Sequence, residues 1–380
     1  MRKVFISQRR LAQYRVPLFD HLLSLLLKEN IDLSIVAGEG TLTEKNKRDA
    51  GHLAWVESIP TYYYASDRFC WQPLYRYLDD VDLLVMTQEN KLLVNHLLLL
   101  APRRFKLAFW GHGANLQSDR PDGLKERFKR WTTNRVDWWF AYTRMSAQLV
   151  EQAGFPDSRI TVLHNSVDTQ SLQLLRLEVT PYDTQALRKS LGFGTGPVGV
   201  YLGSLYTEKR LDFLFETAGL IRQALPDFHL LIIGDGPERD KVRAWCSSNG
   251  WAQWVGARQG REKVAYFSMA QVMLNPGAVG LGILDSFVCR TPMLTTDCRL
   301  HGPEIAYLEN GVNGWMTANE IESYVDICVR LLSDEQVLEH LRRGCDACAV
   351  EYTVENMAQR FADGIVNCLD TPRYRQRTNE

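Results

Sequence analysis

A chain of 380 residues is too long for a single hydrophobic core, so its length predicts two domains. Hydrophobic residues make up 45% of the chain and charged residues 23%, which is the balance of an ordinary soluble globular protein. The formal net charge of −1 argues against nucleic-acid binding through overall charge, and no nucleic-acid partner is predicted.

Eight cysteines are scattered along the chain, and only Cys345 and Cys348 are close together. This pair has no second pair and no neighbouring histidine, so we interpret it as helix packing rather than as a redox or metal site. Such cysteine usage suits a reducing compartment. Neither a signal peptide nor an apolar run long enough to cross a bilayer is visible, so we expect a protein of the cytoplasm or of the cytoplasmic face of the inner membrane.

The first half of the chain alternates short apolar runs with amphipathic stretches. Strands are predicted at 3–7, 31–38, 81–86, 105–111 and 136–143, with a helix at 15–30 and further helices between the later strands. This alternation predicts a parallel sheet with helices on both faces. Residues 159–168 close this half, and we interpret 169–197 as an interdomain link with a lead-in helix.

The second half repeats the alternation. Strands are predicted at 198–204 and from residue 229, and helices at 283–290, 319–332, 334–350 and 353–369. The sequence therefore predicts an α/β fold of two doubly wound, Rossmann-like domains that face each other across a cleft. We place the first domain at 1–168, the second at 169–352, and a final helix with a polar tail at 353–380.

The stretch LNPGAVGLGILDSFVCRTPMLTTD, residues 274–297, has the pattern of a strand, a glycine-rich turn, a helix and a strand. Gly277, Gly280 and Gly282 crowd the turn, where free backbone N–H groups and the positive end of a helix dipole favour phosphate. Asp285 lies one step into the helix, within reach of a sugar hydroxyl next to that phosphate. A merely tight turn is the alternative, because glycine-rich turns alone are weak support.

Two further residues follow predicted strands. Lys209 lies at another strand-to-helix turn of the second domain, where a lysine can reach a diphosphate as a point charge. His112 stands between two glycines directly after a strand, where it could bind a substrate or transfer a proton. The alternatives are a solvated surface lysine and a structural histidine.

Five blocks follow one another in the chain: NSVD at 165–168, GSLYTEKRLD from 203, GDGPER from 234, the turn at 274–297, and HGPEIAYLENGVNGW at 301–315. In this order they resemble the family 4 retaining glycosyltransferases, which have the GT-B fold. AQYRVPLFDHL at 12–22 and GHGANLQ at 111–117 are similar to a bacterial subgroup that acts in surface-polysaccharide assembly. The resemblance implies that the last helix leans back on the first domain.

The resemblance implies roles for residues of the second domain. Lys209 matches the lysine that contacts the donor diphosphate, and we predict that it is catalytic. Gly280, Leu281 and Gly282 lie where backbone amides of the family meet that diphosphate. Asp285 falls where members carry the glutamate that holds the nucleotide ribose.

His112 matches the family histidine that contacts the donor sugar, and it is the second predicted catalytic residue. Glu304, in HGPE, matches a glutamate of the donor-sugar or acceptor region. Two positions depart from the family: Gly277 replaces the glutamate that grips donor-sugar hydroxyls, and Ser204 replaces an arginine beside the diphosphate. Arg210 could supply the missing charge.

The implied reaction is a hexosyltransferase-type transfer of a sugar from a nucleotide-diphosphate donor to an acceptor hydroxyl, with retention at the anomeric carbon. The resemblance implies no metal and no other cofactor. The implied acceptor is a glycan or a lipid-linked precursor of lipopolysaccharide or another surface polysaccharide, and it would bind in the first domain.

Two basic stretches favour contact with a membrane. They are RRFK at 103–106 and GLKERFKRWTTNR at 123–135, whose aromatic residues are Phe105, Phe128 and Trp131. Basic residues interleaved with aromatic ones can lie on anionic lipid headgroups. The alternative is a solvated charged helix that packs its aromatic residues inward.

Two other functions stay open. A nucleotide-sugar epimerase of GT-B architecture would bind the same donor and use no acceptor. A catalytically inactive binding subunit would account for the changes at Gly277 and Ser204.

Overall fold

The computed structural model describes residues 1–45, 49–113 and 131–374. The chain divides into two compact units, one made of Met1–Val167 with Val354–Glu380 and the other of Asp168–Thr353. The predicted boundaries followed residues 168 and 352. Each unit is built on one parallel sheet, so the predicted α/β fold with two doubly wound sheets is confirmed.

The first unit contains nine of the described strands. They are β1 (Arg2–Gln8), β2 (Ile31–Ala37), β3 (Glu57–Ser58), β4 (Tyr62–Tyr64), β5 (Phe69–Trp71), β6 (Leu83–Thr87), β7 (Lys106–Gly111), β8 (Trp138–Ala141) and β9 (Ile160–Val162). Seven of them form the parallel sheet in the order β3-β2-β1-β6-β7-β8-β9. β4 and β5 pair as an antiparallel hairpin that the sequence did not predict.

The helices described in the first unit cover both faces of its sheet. They are α1 (Val16–Lys28), α2 (Leu42–Lys45), α3 (Leu93–Leu100), α4 (Arg144–Gln152) and, after the second unit, α13 (Val354–Asp370). Alternate residues of β1 point to opposite faces: Val4 and Ile6 pack in one core cluster and Phe5 in another. In α1, Leu18, Leu22 and Leu26 recur every four residues, and all three are buried.

The final helix α13 packs against α1 and belongs to the core of the first unit. Its buried residues Met357, Phe361 and Ile365 lie four apart on one face of the helix. The Lys106 ammonium donates to the carbonyl oxygens of Cys368, Leu369 and Thr371 at 2.8, 2.6 and 2.6 Å. A cation at this position satisfies the unpaired carbonyls of the helix end and opposes its dipole.

The second unit has a six-stranded parallel sheet in the order β12-β11-β10-β13-β14-β15. Its strands are β10 (Val198–Leu202), β11 (His229–Ile233), β12 (Ala252–Trp254), β13 (Val272–Leu274), β14 (Met293–Thr296) and β15 (Gly314–Thr317). Its helices are α5 (Thr169–Glu178), α6 (Pro181–Ser190), α7 (Leu211–Ala224), α8 (Arg239–Ser248), α9 (Gly260–Phe267), α10 (Gly282–Val288), α11 (Ile321–Ser333) and α12 (Glu335–Glu351).

Residues 169–197 were interpreted as an interdomain link with a lead-in helix, and the structure forms two helices there, α5 and α6. Asp168 caps α5 by accepting from the Ser171 amide at 2.9 Å. Thr180 and Asp183 form a reciprocal capping box at the start of α6, and Pro181 occupies its first turn. Pro181 fits this position because its fixed φ and missing N–H are compatible with the first turn of a helix.

Residues 103–106 do not form the lipid-facing surface that the sequence predicted. Phe105 is buried in the core, Arg103 pairs with Asp137 at 3.3 Å, and Lys106 caps α13. Phe128 lies outside the described residues, and the Trp131 ring packs under the guanidinium of Arg135 at 4.1 Å. Over the described ranges, no helix has both the length and the apolar composition needed to cross a bilayer.

Cys345 and Cys348 pack against one loop of the second unit. The Cys345 thiol donates to the Asn313 carbonyl at 3.3 Å, and the Asn313 side-chain amide donates to the Cys348 sulfur at 3.1 Å. Burial raises the pKa of both thiols, which keeps them protonated and unreactive near neutral pH. The pair therefore packs a helix against a loop.

Replacing Lys106 by Met should weaken the end of α13. We expect the α13 amides to exchange with a free energy of opening lower by about 1–3 kcal/mol, because three carbonyls lose a charged donor. Native-state hydrogen exchange measures this change. Lys28→Met, at the exposed end of α1, is the matched control, and an equal change in both variants would contradict the capping role.

Candidate active site

A cavity of about 370 Å³ lies at the carboxyl ends of β10 and β13 in the second unit. Ligands of doubly wound sheets bind at this edge. The cavity is lined by Leu202, Gly203, Ser204, Tyr206, Lys209, Met273, Asn275, Gly280, Leu281, Gly282 and Asp285. Five of the residues predicted from the sequence therefore line one cavity, together with the variant position Ser204.

The glycines at 280 and 282 leave the backbone of the turn open. A Cβ built at Gly280 meets nothing within 4 Å, and one at Gly282 has its closest neighbours at 3.8 and 4.0 Å. Within residues 131–374, the amides of Gly280, Leu281 and Gly282 have no hydrogen-bond acceptor. α10 has only seven residues, so these amide donors matter more than its dipole.

Gly277 has a different role, because its backbone lies against another segment. A Cβ at this position would lie 2.5 Å from the carbonyl oxygens of Glu208 and Lys209. The Ala278 amide donates to the Glu208 carbonyl at 2.9 Å. A side chain at 277 would therefore push the turn away from residues 208–209, and the glutamate expected from the family does not fit here.

Lys209 follows β10 in a short 3-10 helix, Thr207–Lys209, and its side chain lines the cavity. Its ammonium donates to the Ala278 carbonyl and lies 5.6 Å from the centre of the Tyr206 ring. Within the described ranges, no carboxylate forms an ion pair with it. Burial lowers the pKa of Lys209 to about 8, so the ammonium form still predominates at neutral pH.

Two side chains hold the turn that follows β13. The Arg210 guanidinium donates to the Pro276 carbonyl, the Thr296 hydroxyl and the Asn319 side chain, at 3.2, 3.0 and 2.5 Å. His301 accepts from the Val279 amide at its Nδ1 (3.2 Å), and its Nε2 lies 2.8 Å from the Thr296 carbonyl. These partners require a neutral imidazole with its proton on Nε2.

Arg210 is therefore directed at the backbone of the turn and does not line the cavity beside Ser204. The sequence interpretation missed His301, although this residue opens the HGPE block. Ser204 is exposed at the cavity wall, and its carbonyl accepts from the Tyr201 hydroxyl at 3.1 Å.

Asp285 lies on the first turn of α10 and lines the cavity, as expected for a residue that holds a hydroxyl. Its Oδ1 pairs with the Lys263 ammonium of α9 at 2.5 Å. The pair fixes the carboxylate at the wall, and its second oxygen can accept from a ligand. Sequence reasoning missed Lys263, because a partner 22 residues away leaves no local pattern.

Glu304 is buried, with 5% of its surface exposed, in the 3-10 helix Pro303–Tyr307. Its carboxylate lies close to Gly302, where an added Cβ would be 2.8 Å from it. The Gly302 amide in turn donates to the Val279 carbonyl of the glycine turn at 2.8 Å. Glu304 does not line the cavity of the second unit.

His112 lies in the first unit, directly after β7, and its side chain is exposed. Its ring meets the Tyr142 ring edge to face, with centres 4.5 Å apart. Gly113 adopts φ 78°, and a Cβ there would lie 2.6 Å from the Ser146 carbonyl. The glycine thus lets the chain turn sharply behind His112 at the carboxyl edge of the sheet.

A second cavity of about 280 Å³ lies in the first unit, beside the carboxyl ends of β1 and β2. Arg9 pairs with Glu44 at 2.6 Å and with Glu89 at 2.7 Å, and Arg10 pairs with Asp49 at 2.8 Å. The hydrogen bond from Arg9 is the largest influence on Glu44 and lowers its pKa to about 2. Arg10, which lines this cavity, is thus already neutralised by Asp49, which suits a ligand rich in hydroxyl groups.

Two family models match the chain, one in each half. Residues 18–171 match Glycosyltransferase Family 4, and residues 196–334 match Glycosyl transferases group 1. These ranges fall mainly in the first and in the second unit, respectively.

Curated relatives are similar over part of their length. Alpha-monoglucosyldiacylglycerol synthase of Acholeplasma laidlawii is 22% identical over 221 residues, which are 56% of this chain and 54% of the relative. A GDP-mannose-dependent alpha-(1-6)-phosphatidylinositol monomannoside mannosyltransferase of Mycolicibacterium smegmatis is 30% identical over 152 residues, 37% of this chain and 38% of the relative. The chain thus spans about half, or less, of the length of these relatives.

Among solved structures, Anabaena Alr3699/HepE in complex with UDP has the same fold, with a TM-score of 0.70. The two sequences are 17% identical, and the superposition covers 96% of this chain and 100% of that one. The family predicted from the five sequence blocks is thus confirmed. With a Family 4 domain in its first half and a group 1 domain in its second, on a GT-B fold, the chain belongs to the GT-B glycosyltransferases.

Proposed function

We propose that this protein transfers a sugar from a nucleotide-diphosphate donor to an acceptor hydroxyl with retention of anomeric configuration. The observation that carries the proposal is the Lys209 ammonium, which has no carboxylate partner in the described chain and faces the same cavity as the open amides of residues 280–282. A diphosphate supplies the negative charge and the acceptor oxygens that this arrangement lacks.

In the proposed mechanism, negative charge develops on the diphosphate as its bond to the sugar breaks. Lys209 and the turn amides stabilise this charge, and a single preorganised donor of this kind is worth roughly 100- to 1000-fold in rate. The free oxygen of Asp285 accepts from a ribose hydroxyl, and Lys263 keeps that carboxylate in place. Because Lys209 supplies the positive charge, we expect the reaction to proceed without a metal or another cofactor.

We assign His112 to the donor sugar and the acceptor to the first unit. Arg10, which lines the first-unit cavity and is paired with Asp49, favours a hydroxyl-rich acceptor, such as the terminal sugar of a glycan or glycolipid. The two curated relatives are named as enzymes of glycolipid synthesis, which supports a lipid-linked or surface-polysaccharide precursor. Such a substrate favours a location in the cytoplasm, at the face of the inner membrane.

The packing at Gly277 bears on the inactive-subunit alternative. Because this glycine is needed where two backbone segments touch, its presence has a structural reason that does not require loss of activity. The epimerase alternative predicts a changed sugar when a donor is supplied alone, and the transferase predicts product only with an acceptor.

Lys209→Met tests the proposed donor site, and assays with and without an acceptor separate a transferase from an epimerase. We expect at least a 100-fold loss of sugar transfer and about tenfold weaker binding of the nucleoside diphosphate, since the variant removes the ammonium from the cavity. Transfer from UDP-, GDP- and dTDP-sugars to a membrane lipid extract, with calorimetry of the matching diphosphates, measures both quantities.

Lys241→Met is the matched control, because Lys241 pairs with Asp212 on the surface of the same unit. Wild-type and Lys209→Met proteins that bind every diphosphate equally would refute the proposed site. An epimer formed without the lipid extract would refute the proposed reaction.

Diphosphate affinity should fall in alkaline solution. The pKa of Lys209 is about 8 in the free protein, and a bound diphosphate raises it because it favours the charged form. Affinity should therefore be complete well below pH 8 and several-fold weaker at pH 9, where the free lysine is largely neutral. Lys209→Arg stays charged over this range, so calorimetry from about pH 7 to 9 should give a nearly flat profile for this variant.

Substitution of Gly277 should lower stability, whereas substitution of Gly280 should weaken diphosphate binding. Gly277→Ala should lower the melting temperature, because its Cβ meets the backbone of residues 208–209, a strain that costs about 1–3 kcal/mol. Gly280→Ala should preserve stability, because its Cβ meets nothing within 4 Å, yet it should weaken diphosphate binding by covering the amides. Thermal melts with and without UDP compare the two, and unimpaired binding by Gly280→Ala would argue against the amide site.

A further inference from the structure

Arg15, in the first unit, is a buried cation with no counter-ion in the part of the chain that the structure describes. Its side chain belongs to a residue with only 4% of its surface exposed, directly before α1. None of the ion pairs in the described chain includes it. Arg9, a buried arginine of the same unit, is in contrast neutralised by Glu44.

Aromatic rings enclose the Arg15 guanidinium, but they do not accept hydrogen bonds from its N–H groups. Its central carbon lies 4.8 Å from the Trp110 ring, 4.9 Å from the Tyr14 ring and 5.5 Å from the Tyr142 ring. These ring faces stabilise a cation and accept none of its five N–H donors in the plane of the guanidinium. Among the described residues, the guanidinium donates one hydrogen bond, to the Met357 sulfur at 3.8 Å, which is a weak acceptor.

The surroundings of Arg15 favour an anion. Arg15 occupies the N-cap of a 13-residue helix whose first turn has no acidic residue, so the helix dipole adds positive potential here. Tyr142, which follows β8, contacts both Arg15 and His112, which follows β7. Arg15 and His112 therefore lie at the same carboxyl edge of the sheet. The Arg15 nitrogens that lack a partner in the described chain are not fully enclosed by protein. Their N–H groups therefore border solvent.

We propose that Arg15 binds an oxyanion, namely a phosphate group carried by one of the two substrates. A planar guanidinium presents two parallel N–H donors, which is the geometry that a phosphate accepts best. The aromatic rings hold the guanidinium in one orientation, so little of its freedom is lost when the anion binds. The choice of phosphate rests on the proposed transfer reaction, in which the donor carries a diphosphate and a lipid-linked acceptor carries a phosphate ester.

Arg15→Met tests this proposal, because Met keeps much of the side-chain length and packs against aromatic rings without a charge. The matched control is Arg159→Met, which also removes a guanidinium from an aromatic ring, that of Tyr374 at 5.5 Å. The probes are UDP, GDP and methyl phosphate, with binding measured by calorimetry and by thermal stabilisation. Arg15→Lys keeps the charge, and it replaces the Met variant if that variant does not fold.

If the donor diphosphate is the ligand, Arg15→Met binds UDP or GDP about 10- to 100-fold more weakly than the wild type, and the control variant does not change. If an acceptor phosphate is the ligand, diphosphate binding is unchanged, and only Arg15→Met loses the affinity for methyl phosphate. In either case Arg15→Lys keeps part of the affinity.

Unchanged binding of all three probes by Arg15→Met, or by Arg15→Lys where the Met variant does not fold, would overturn the proposal and leave Arg15 as a packing residue. The proposed function fails separately, because it requires that the wild-type protein bind a nucleoside diphosphate through Lys209. The methyl phosphate measurement still tests Arg15 in that event.

Discussion

The contact between the backbone at Gly277 and the backbone of residues 208–209 is the constraint on which the cavity of the second unit depends. Without a Cβ at 277, the Ala278 amide reaches the Glu208 carbonyl and the Lys209 ammonium reaches the Ala278 carbonyl. The segments that follow β10 and β13 are thereby joined at their carboxyl ends. The joined turns place an ammonium and three open amides on one wall.

This turn is held from behind as well. Arg210 binds the Pro276 carbonyl, and His301 binds the Val279 amide, so both sides of Gly277 are anchored by side chains that do not line the cavity. Such support matters for electrostatic stabilisation, since donors already in place need no reorganisation when charge develops. A family position that usually carries a sugar-binding carboxylate has here become part of the scaffold.

Each unit contains a buried or half-buried cation that no carboxylate of the described residues neutralises, Lys209 in the second and Arg15 in the first. Arg9 and Arg10 of the first unit, in contrast, are paired with carboxylates. An unpaired cation is costly to bury, and a substrate anion removes that cost when it binds. The same physical argument thus underlies both proposed phosphate sites, one in each unit.

The amino-acid sequence was enough to predict the α/β class, the succession of strands and helices, the glycine turn and the positions of Lys209, Asp285 and His112 after their strands. These features are encoded by periodicity and by neighbours within a few residues. The folded structure was needed to show that Gly277 packs against backbone, that Lys263 pairs with Asp285, and that Phe105 is buried. Those outcomes depend on contacts between segments far apart in the chain, and such contacts leave no local pattern from which they could be predicted.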